Sequence, residues 1–136
     1  MTRDQISELL LQRGVFPTSQ RLDVGEVILS RPQHLSAEQI IGEMRKAGSR
    51  VSKATVYNTL NLFRERGLLT TVEVDPSRQF YDSTIERHHH FYNVETGELI
   101  DIPEEALKLE VNAPLPQGTE QAGVEVVIKV RGAGAR

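Results

Sequence analysis

Histidine and aspartate are the residues of this chain whose types and spacing could bind a metal ion. Three of the four histidines form one block, His88-His89-His90. Side chains alternate along a strand, so His88 and His90 would share one face and could bind one metal, while His89 would lie on the other face. Asp82 lies before the block, Asp101 lies after it, and His34 lies far upstream.

The types of ligand atom indicate which metal these residues would suit. The chain has no cysteine, which excludes disulfides, thiolate zinc sites and thiol redox sensing. Three imidazoles and two carboxylates favour Fe²⁺ or Mn²⁺ over structural zinc, although Zn²⁺ could still bind through its higher raw affinity. The candidate ligands are His34, Asp82, His88, His90 and Asp101.

Each candidate ligand also has a simpler interpretation, which the spacing alone leaves open. The triplet could be a solvated stretch, His34 could be a surface or capping residue, and Asp101 could serve the start of a following helix. If the five residues do converge, the site joins the two halves of the chain. A bound metal would then fix the relative orientation of the halves.

The first half of the chain has the pattern of successive helices. Gly14 would end the first helix, and the bond before Pro32 would end the second. The third begins at a capping box, residues 36–39, in which a serine and a glutamine satisfy each other's backbone amides. Gly48 would end this helix.

A fourth helix is expected from Ser52 to about Arg66, with Val56, Leu60 and Phe63 as its buried stripe. Two strands follow it, at residues 68–74 and 79–81 around a turn. Helices followed by a β-hairpin are typical of a winged helix-turn-helix. The polar residues of the fourth helix that suit base edges or phosphates are Lys53, Thr55, Tyr57, Asn58 and Arg64.

The charge distribution supports a nucleic-acid surface on this fourth helix. Residues 44–66 hold six bases and one acid, a net charge of +5. Residues 83–136 hold five bases and nine acids, a net charge of −4. A basic window beside an acidic remainder fits a local DNA footprint, although a solvated helix face would show the same charges.

The second half has the pattern of strands at residues 88–94, 98–102 and 124–130, with a short helix starting at Pro103. About 50 residues bury too little surface alone, so we expect a homodimer. The fold class is therefore α+β: a winged helix-turn-helix DNA-binding domain, residues 1–83, and a small α/β dimerisation domain, residues 84–136. No apolar run has the length of a membrane span and no signal peptide is evident, so we expect a cytoplasmic protein without a membrane partner.

In the residues of its helical half, the chain resembles the ferric uptake regulator (Fur) superfamily. The resemblance lies in the run from His34-Leu-Ser-Ala-Glu-Gln-Ile through Val51-Ser-Lys-Ala-Thr-Val-Tyr-Asn-Thr-Leu to Gly67-Leu-Leu. It implies that His34, Asp82, His88, His90 and Asp101 match the regulatory metal site of the peroxide regulator branch.

The pattern is most similar to the iron response regulator branch, in Tyr81-Asp82, His88 to Tyr92, Glu98 to Pro103 and Val124 to Arg131. That branch lacks the paired-cysteine zinc site, and Asn93 and Thr96 stand where the first cysteine pair would be. The resemblance therefore implies no structural zinc. It also associates His88, His89 and His90 with haem, and neutral histidine is a competent axial ligand.

The resulting expectation is a repressor that binds a double-stranded DNA operator and controls iron and haem genes according to iron or haem status. The first alternative is a repressor of the same family that senses peroxide or manganese. A distant alternative is a non-haem iron oxygenase that uses His88, His90 and one aspartate as a facial triad. We expect a regulator and not an enzyme, because no β-barrel pattern is present to build a substrate pocket.

Overall fold

The computed structural model describes residues 1–75, 77–84 and 88–134, with His88 described by its backbone alone. The chain divides into two compact units, Met1–Ile85 and Glu86–Arg136, which we call unit 1 and unit 2. The division lies two residues after the boundary suggested by the sequence. Within the described residues, none of the helices has the length and apolar content needed to cross a bilayer.

Unit 1 opens with helices whose starts are set by side-chain caps. Thr2, Thr18, Ser36 and Ser52 each accept a hydrogen bond from a backbone amide three residues later. This contact satisfies one of the amides that a helix start leaves without a partner. The predicted capping box at Ser36 is confirmed, because the side-chain oxygen of Gln39 in turn accepts a hydrogen bond from the Ser36 amide. The helices are α1 (Arg3–Gln12), α2 (Ser19–Ile28), α3 (Ala37–Lys46) and α4 (Lys53–Glu65).

The core of unit 1 lies between these helices. The predicted stripe of α4 is confirmed, since Val56, Leu60 and Phe63 are fully buried, and Thr59 is buried beside them. Burying apolar side chains of this size contributes about 1.5–3 kcal/mol each. The residues of α1 to α3 that complete the core include Ile6, Leu10, Val24, Ile28, Ile40 and Met44.

A three-stranded antiparallel sheet completes unit 1. It contains β1 (His34–Ser36), β2 (Thr70–Asp75) and β3 (Arg78–Asp82) in the order β1-β3-β2. The hairpin of β2 and β3 is the predicted wing. Strand β1 was not predicted, because three residues are too few to show an alternating pattern and Ser36 also carries the signal of the α3 cap.

Unit 2 contains a second three-stranded sheet, of β4 (His88–Asn93), β5 (Leu99–Pro103) and β6 (Val127–Val130), in the order β5-β4-β6. Strands β4 and β5 are antiparallel, whereas β6 runs parallel to β4. The third strand is shorter than predicted, since it begins at Val127 and not at residue 124. The predicted helix after Pro103 is only a 3₁₀ turn, Glu104–Ala106, because the backbone is already extended at Leu107.

Candidate functional site

The turn between α3 and α4 is held by the side chain of Arg45. Its guanidinium donates to the carbonyl oxygen of Ser49 at 3.0 Å and to that of Val51 at 2.7 Å. The Ser49 amide also bonds to the Met44 carbonyl at 2.9 Å, which closes the end of α3. These contacts fix the angle at which α4 leaves the turn, so Arg45 positions the candidate DNA-reading helix.

The surface of α4 presents the predicted DNA contacts unevenly. Lys53, Asn58 and Arg64 are exposed, and Tyr57 retains 40% of its accessible surface. Thr55 is half-buried, and its hydroxyl lies 2.9 Å from that of Ser52 at the helix start. Four side chains are therefore accessible to a ligand, while Thr55 also contributes to the cap. Their DNA-binding role stays a prediction.

Tyr81 connects the wing sheet to this helix. It lies on β3, is buried, and belongs to the apolar core. Burial raises the pKa of the Tyr81 phenol, and the nearby Tyr57 adds to the rise, while Arg64 opposes it. The ring is therefore close to two of the candidate DNA contacts and stays neutral at physiological pH.

Unit 1 places two of the predicted metal ligands opposite each other. His34 on β1 and Asp82 on β3 are cross-strand neighbours, so their side chains lie on the same face of the sheet. Asp82 is 1% exposed, and one of its carboxylate oxygens accepts a hydrogen bond from the Thr84 amide at 2.8 Å. The carboxylate is thereby held in a fixed orientation beside His34.

The end of the β1–β3 pair is closed by Ser83, whose role the sequence did not indicate. Its amide donates to the Gln33 carbonyl at 3.1 Å, and its hydroxyl accepts from the Gln33 amide at 3.1 Å. The same hydroxyl lies 2.9 Å from the Arg31 carbonyl. A serine directly after the candidate ligand Asp82 is the only sequence signal of this closure.

Unit 2 places a second histidine opposite a second aspartate. His90 pairs with Asp101 across β4 and β5, and His90 Nε2 lies 3.4 Å from a carboxylate oxygen of Asp101. Strand β5, which holds Asp101, therefore pairs directly with the histidine strand β4. His90 is 2% exposed, whereas the side chain of Asp101 retains 49%. The imidazole is buried while the carboxylate is accessible to an entering ion.

The other two histidines of the block have different positions. The side chain of His89 accepts a hydrogen bond at Nδ1 from the Val126 amide, at 3.1 Å. The side chain of His88 lies outside the described part of the structure, so its role as a metal ligand stays a prediction from the sequence. The structure thus pairs four of the five predicted metal ligands, two within each unit. That both pairs serve one metal stays a prediction.

The comparisons with known proteins cover most of the chain. The model of the ferric uptake regulator family matches residues 12–127. A ferric uptake regulation protein of Pseudomonas putida is 31% identical over 125 residues, covering 90% of this chain and 93% of that protein. One from Rhizobium leguminosarum bv. viciae is 30% identical over 97 residues, covering 71% and 68%.

The chain is also similar to a ferric uptake regulator in its three-dimensional structure. The ferric uptake regulator of Pseudomonas aeruginosa, solved with manganese, superposes with a TM-score of 0.70 at 25% identity, covering 98% of this chain and 100% of that one. The predicted α+β class, a winged helix followed by a small α/β domain, is confirmed. Because members of the matched family are DNA-binding transcription regulators, the oxygenase alternative is excluded and the expectation of a regulator and not an enzyme is confirmed. The chain belongs to the ferric uptake regulator family.

Proposed function

We propose that this chain is a cytoplasmic repressor of the iron response regulator type, which binds operator DNA according to iron or haem status. The observation that carries the proposal is the pairing of one histidine with one aspartate in each unit. His34 lies opposite Asp82, and His90 lies opposite Asp101. In each sheet, one member of the pair lies on the central strand. A metal held by both pairs would report its presence to both units.

The ligand atoms favour an iron-type metal ion. Imidazole nitrogen and carboxylate oxygen suit Fe²⁺ and Mn²⁺, and Zn²⁺ would also bind them in vitro. The proposed ligands are His34, Asp82, His88, His90 and Asp101. A separate structural zinc site of thiolates is not proposed, because the chain has no cysteine.

Haem is the second ligand that we propose for the block His88, His89 and His90. Iron of haem would take a neutral imidazole nitrogen. Nδ1 of His89 already accepts the Val126 amide, so an axial bond from His89 would use Nε2. His90 lies beside Asp101 and is buried, which suits the metal better than the face of a large macrocycle.

A second copy of the chain is the proposed partner of unit 2. On one face of its sheet, the exposed side chains of Phe91, Ile100 and Ile128 are cross-strand neighbours and form an apolar patch. Exposed apolar patches are typical of interfaces. Two copies related by a two-fold axis would read a pseudo-palindromic operator. Among the described residues of unit 2, the exposed large apolar side chains are Phe91, Val94, Ile100, Leu109, Val111, Leu115, Val124 and Ile128.

The proposal is tested by titrating operator DNA at fixed salt with the apo protein and with Mn²⁺, Fe²⁺ and haem added separately. The double variant His88→Ala, His90→Ala should keep its circular dichroism spectrum and lose the response of DNA affinity to metal. Glu104→Ala, which removes an exposed carboxylate of unit 2, serves as the control and should respond normally. A double variant that still responds like the wild type would overturn the sensor assignment.

Whether one metal is shared by both units is tested by a double-mutant cycle between His34 and His90. If both ligate one ion, either alanine variant removes most of the Mn²⁺ affinity, and the second substitution adds little to the first. If each histidine serves its own site, the two losses add. Additive losses would refute the shared site.

A manganese- or peroxide-responsive repressor is the second candidate. The Pseudomonas aeruginosa regulator that resembles this chain was solved with manganese, which favours Mn²⁺ as an alternative effector. Peroxide sensing would require hydrogen peroxide, activated by the bound Fe²⁺, to transfer one oxygen atom to a histidine ligand and leave as water, because the chain has no thiol to oxidise. Mass spectrometry after peroxide exposure separates a peroxide sensor from a metal or haem sensor, since only peroxide sensing adds an oxygen atom to His34 or His88.

A further inference from the structure

Strand β6 is held against β4 by a side-chain hydrogen bond at each of its ends. At the first end, the Val126 amide donates to His89 Nδ1 at 3.1 Å. At the other end, the Gly132 amide donates to the Glu95 carboxylate. Between these ends, β6 pairs with β4 from His90 opposite Val127 to Asn93 opposite Val130. The two side chains therefore mark the limits of the pairing.

The bond at the first end reaches the histidine block from two directions. The carbonyl oxygen of Val126 accepts from the His90 amide at 3.1 Å, while its amide donates to the His89 ring. One residue thus binds both the side chain of His89 and the backbone of His90. Residues 107–126, which lead to β6, form neither helix nor strand. The contact with His89 therefore lies where this irregular segment enters β6.

The chemistry of the bond assigns the tautomer of His89. An amide N–H can donate only to an unprotonated ring nitrogen, so Nδ1 has no proton and a neutral ring carries its proton on Nε2. Asparagine places an oxygen close to the position of Nδ1, whereas glutamine places one close to the position of Nε2. These two substitutions therefore separate the two edges of the ring.

We propose that His89 is a positioning residue, whose Nδ1 anchors the start of β6 and so fixes the backbone of β4 at His90. It does this from the face of β4 opposite His90, and it is not a ligand of the metal ion that we propose for His90. The anchoring stands on the contacts within unit 2. Its effect on metal affinity rests, in addition, on the proposed function of His90.

The anchoring is tested by amide hydrogen exchange, measured by NMR on the full-length, metal-free protein. Loss of one neutral hydrogen bond corresponds to a roughly five-fold change in local opening. We expect His89→Ala and His89→Gln to exchange the Val126 amide about five-fold faster, and His89→Asn to restore the wild-type rate. Glu95→Ala is the matched control, which should speed exchange at Gly132 and leave Val126 unchanged. An unchanged Val126 rate in His89→Ala, or a His89→Asn variant as fast as the alanine variant, would overturn the anchoring.

Mn²⁺ titration of the same variants tests the consequence for the metal. We expect His89→Ala to bind several-fold more weakly and His89→Asn to bind like the wild type. If His89→Asn keeps a slow Val126 amide and loses Mn²⁺, His89 is a ligand and the positioning role is wrong. Wild-type protein that binds no Mn²⁺ would contradict the metal site of the proposed function, and the exchange measurements would still decide whether His89 anchors β6.

Discussion

Arg64 offers a sharp test of how α4 would meet DNA. Lys53 and Arg64 lie at opposite ends of the helix, eleven positions apart. At roughly 1.5 Å per residue they are separated by about 16 Å along the axis. The major groove is only about 12 Å wide. A helix that points its first turn into the groove, with Lys53 over base edges, therefore extends Arg64 beyond the groove wall, where the accessible partner is a phosphate.

The magnitude follows from counterion release. Each phosphate contact contributes about 0.9 to the slope of log affinity against log salt. In a homodimer Arg64→Ala removes two contacts, so the slope should fall in magnitude by about 1.8. At about 0.1 M salt this corresponds to roughly eight-fold per contact and about sixty-fold for the dimer.

Fluorescence anisotropy measures the effect, with an operator selected by the wild-type protein and a scrambled duplex, at about 50 to 200 mM salt. Arg64→Ala should weaken binding to both duplexes by the same factor. Asn58→Ala should keep the slope and lose about 1–3 kcal/mol for the operator alone, because it would read a base. Arg131→Ala in unit 2 removes the same charge and should leave the slope unchanged. A wild-type slope in Arg64→Ala would refute this placement of α4.

Further substitutions test the packing of unit 1. A β-carbon added at Gly25 would lie 2.8 Å from a methyl group of Ile6, whereas one added at the exposed Gly42 meets nothing within 4 Å. In urea denaturation, Gly25→Ala should therefore lower the free energy of unfolding by about 1–3 kcal/mol, and Gly42→Ala should raise it by up to about 1 kcal/mol. If both variants changed the free energy of unfolding in the same direction, the packing described would be wrong. Ser36→Ala should cost about 1 kcal/mol by removing the α3 cap, again read from the urea midpoint. Since the pKa of Tyr81 is raised, the stabilisation of its neutral form is complete below a pH of about 10 and is lost as the pH rises through the folded-state pKa. Alkaline denaturation should thus be shallower in Tyr81→Phe than in the wild type.

The parts of the fold that the sequence predicted are those determined by local signals. A capping residue acts on an amide three positions away, and the stripe of α4 repeats within one helix, so both can be recognised without knowledge of the rest of the chain. The wing hairpin and the hairpin of β4 and β5 are equally local. In the second hairpin, the Asn93 side chain accepts the amides of Glu95 and Thr96, which fixes a tight turn and hence the register.

The parts that were missed depend on contacts between distant segments. Strand β1 exists because His34 to Ser36 pair with β3, far along the chain, and nothing within three residues indicates that pairing. The parallel register of β6 likewise depends on β4. Arg45 appeared in the sequence only as one base of a charged window, while its two carbonyl contacts depend on the path of the turn that follows.

The candidate ligands divide in the same way, and the division bears on how a sensor would work. His90 and Asp101 face each other because a short turn sets their register, so this pair was predictable from spacing. His34 and Asp82 face each other through the long-range pairing of β1 with β3, which no spacing in the sequence indicated. Each pair offers one imidazole and one carboxylate, and the proposed ligand His88 would raise the number in unit 2 to three, still fewer than an iron-type ion takes. Under the proposed function, neither unit would hold the metal tightly by itself. Metal affinity would then depend on the arrangement of the two units, and by linkage the metal would favour one arrangement over the others.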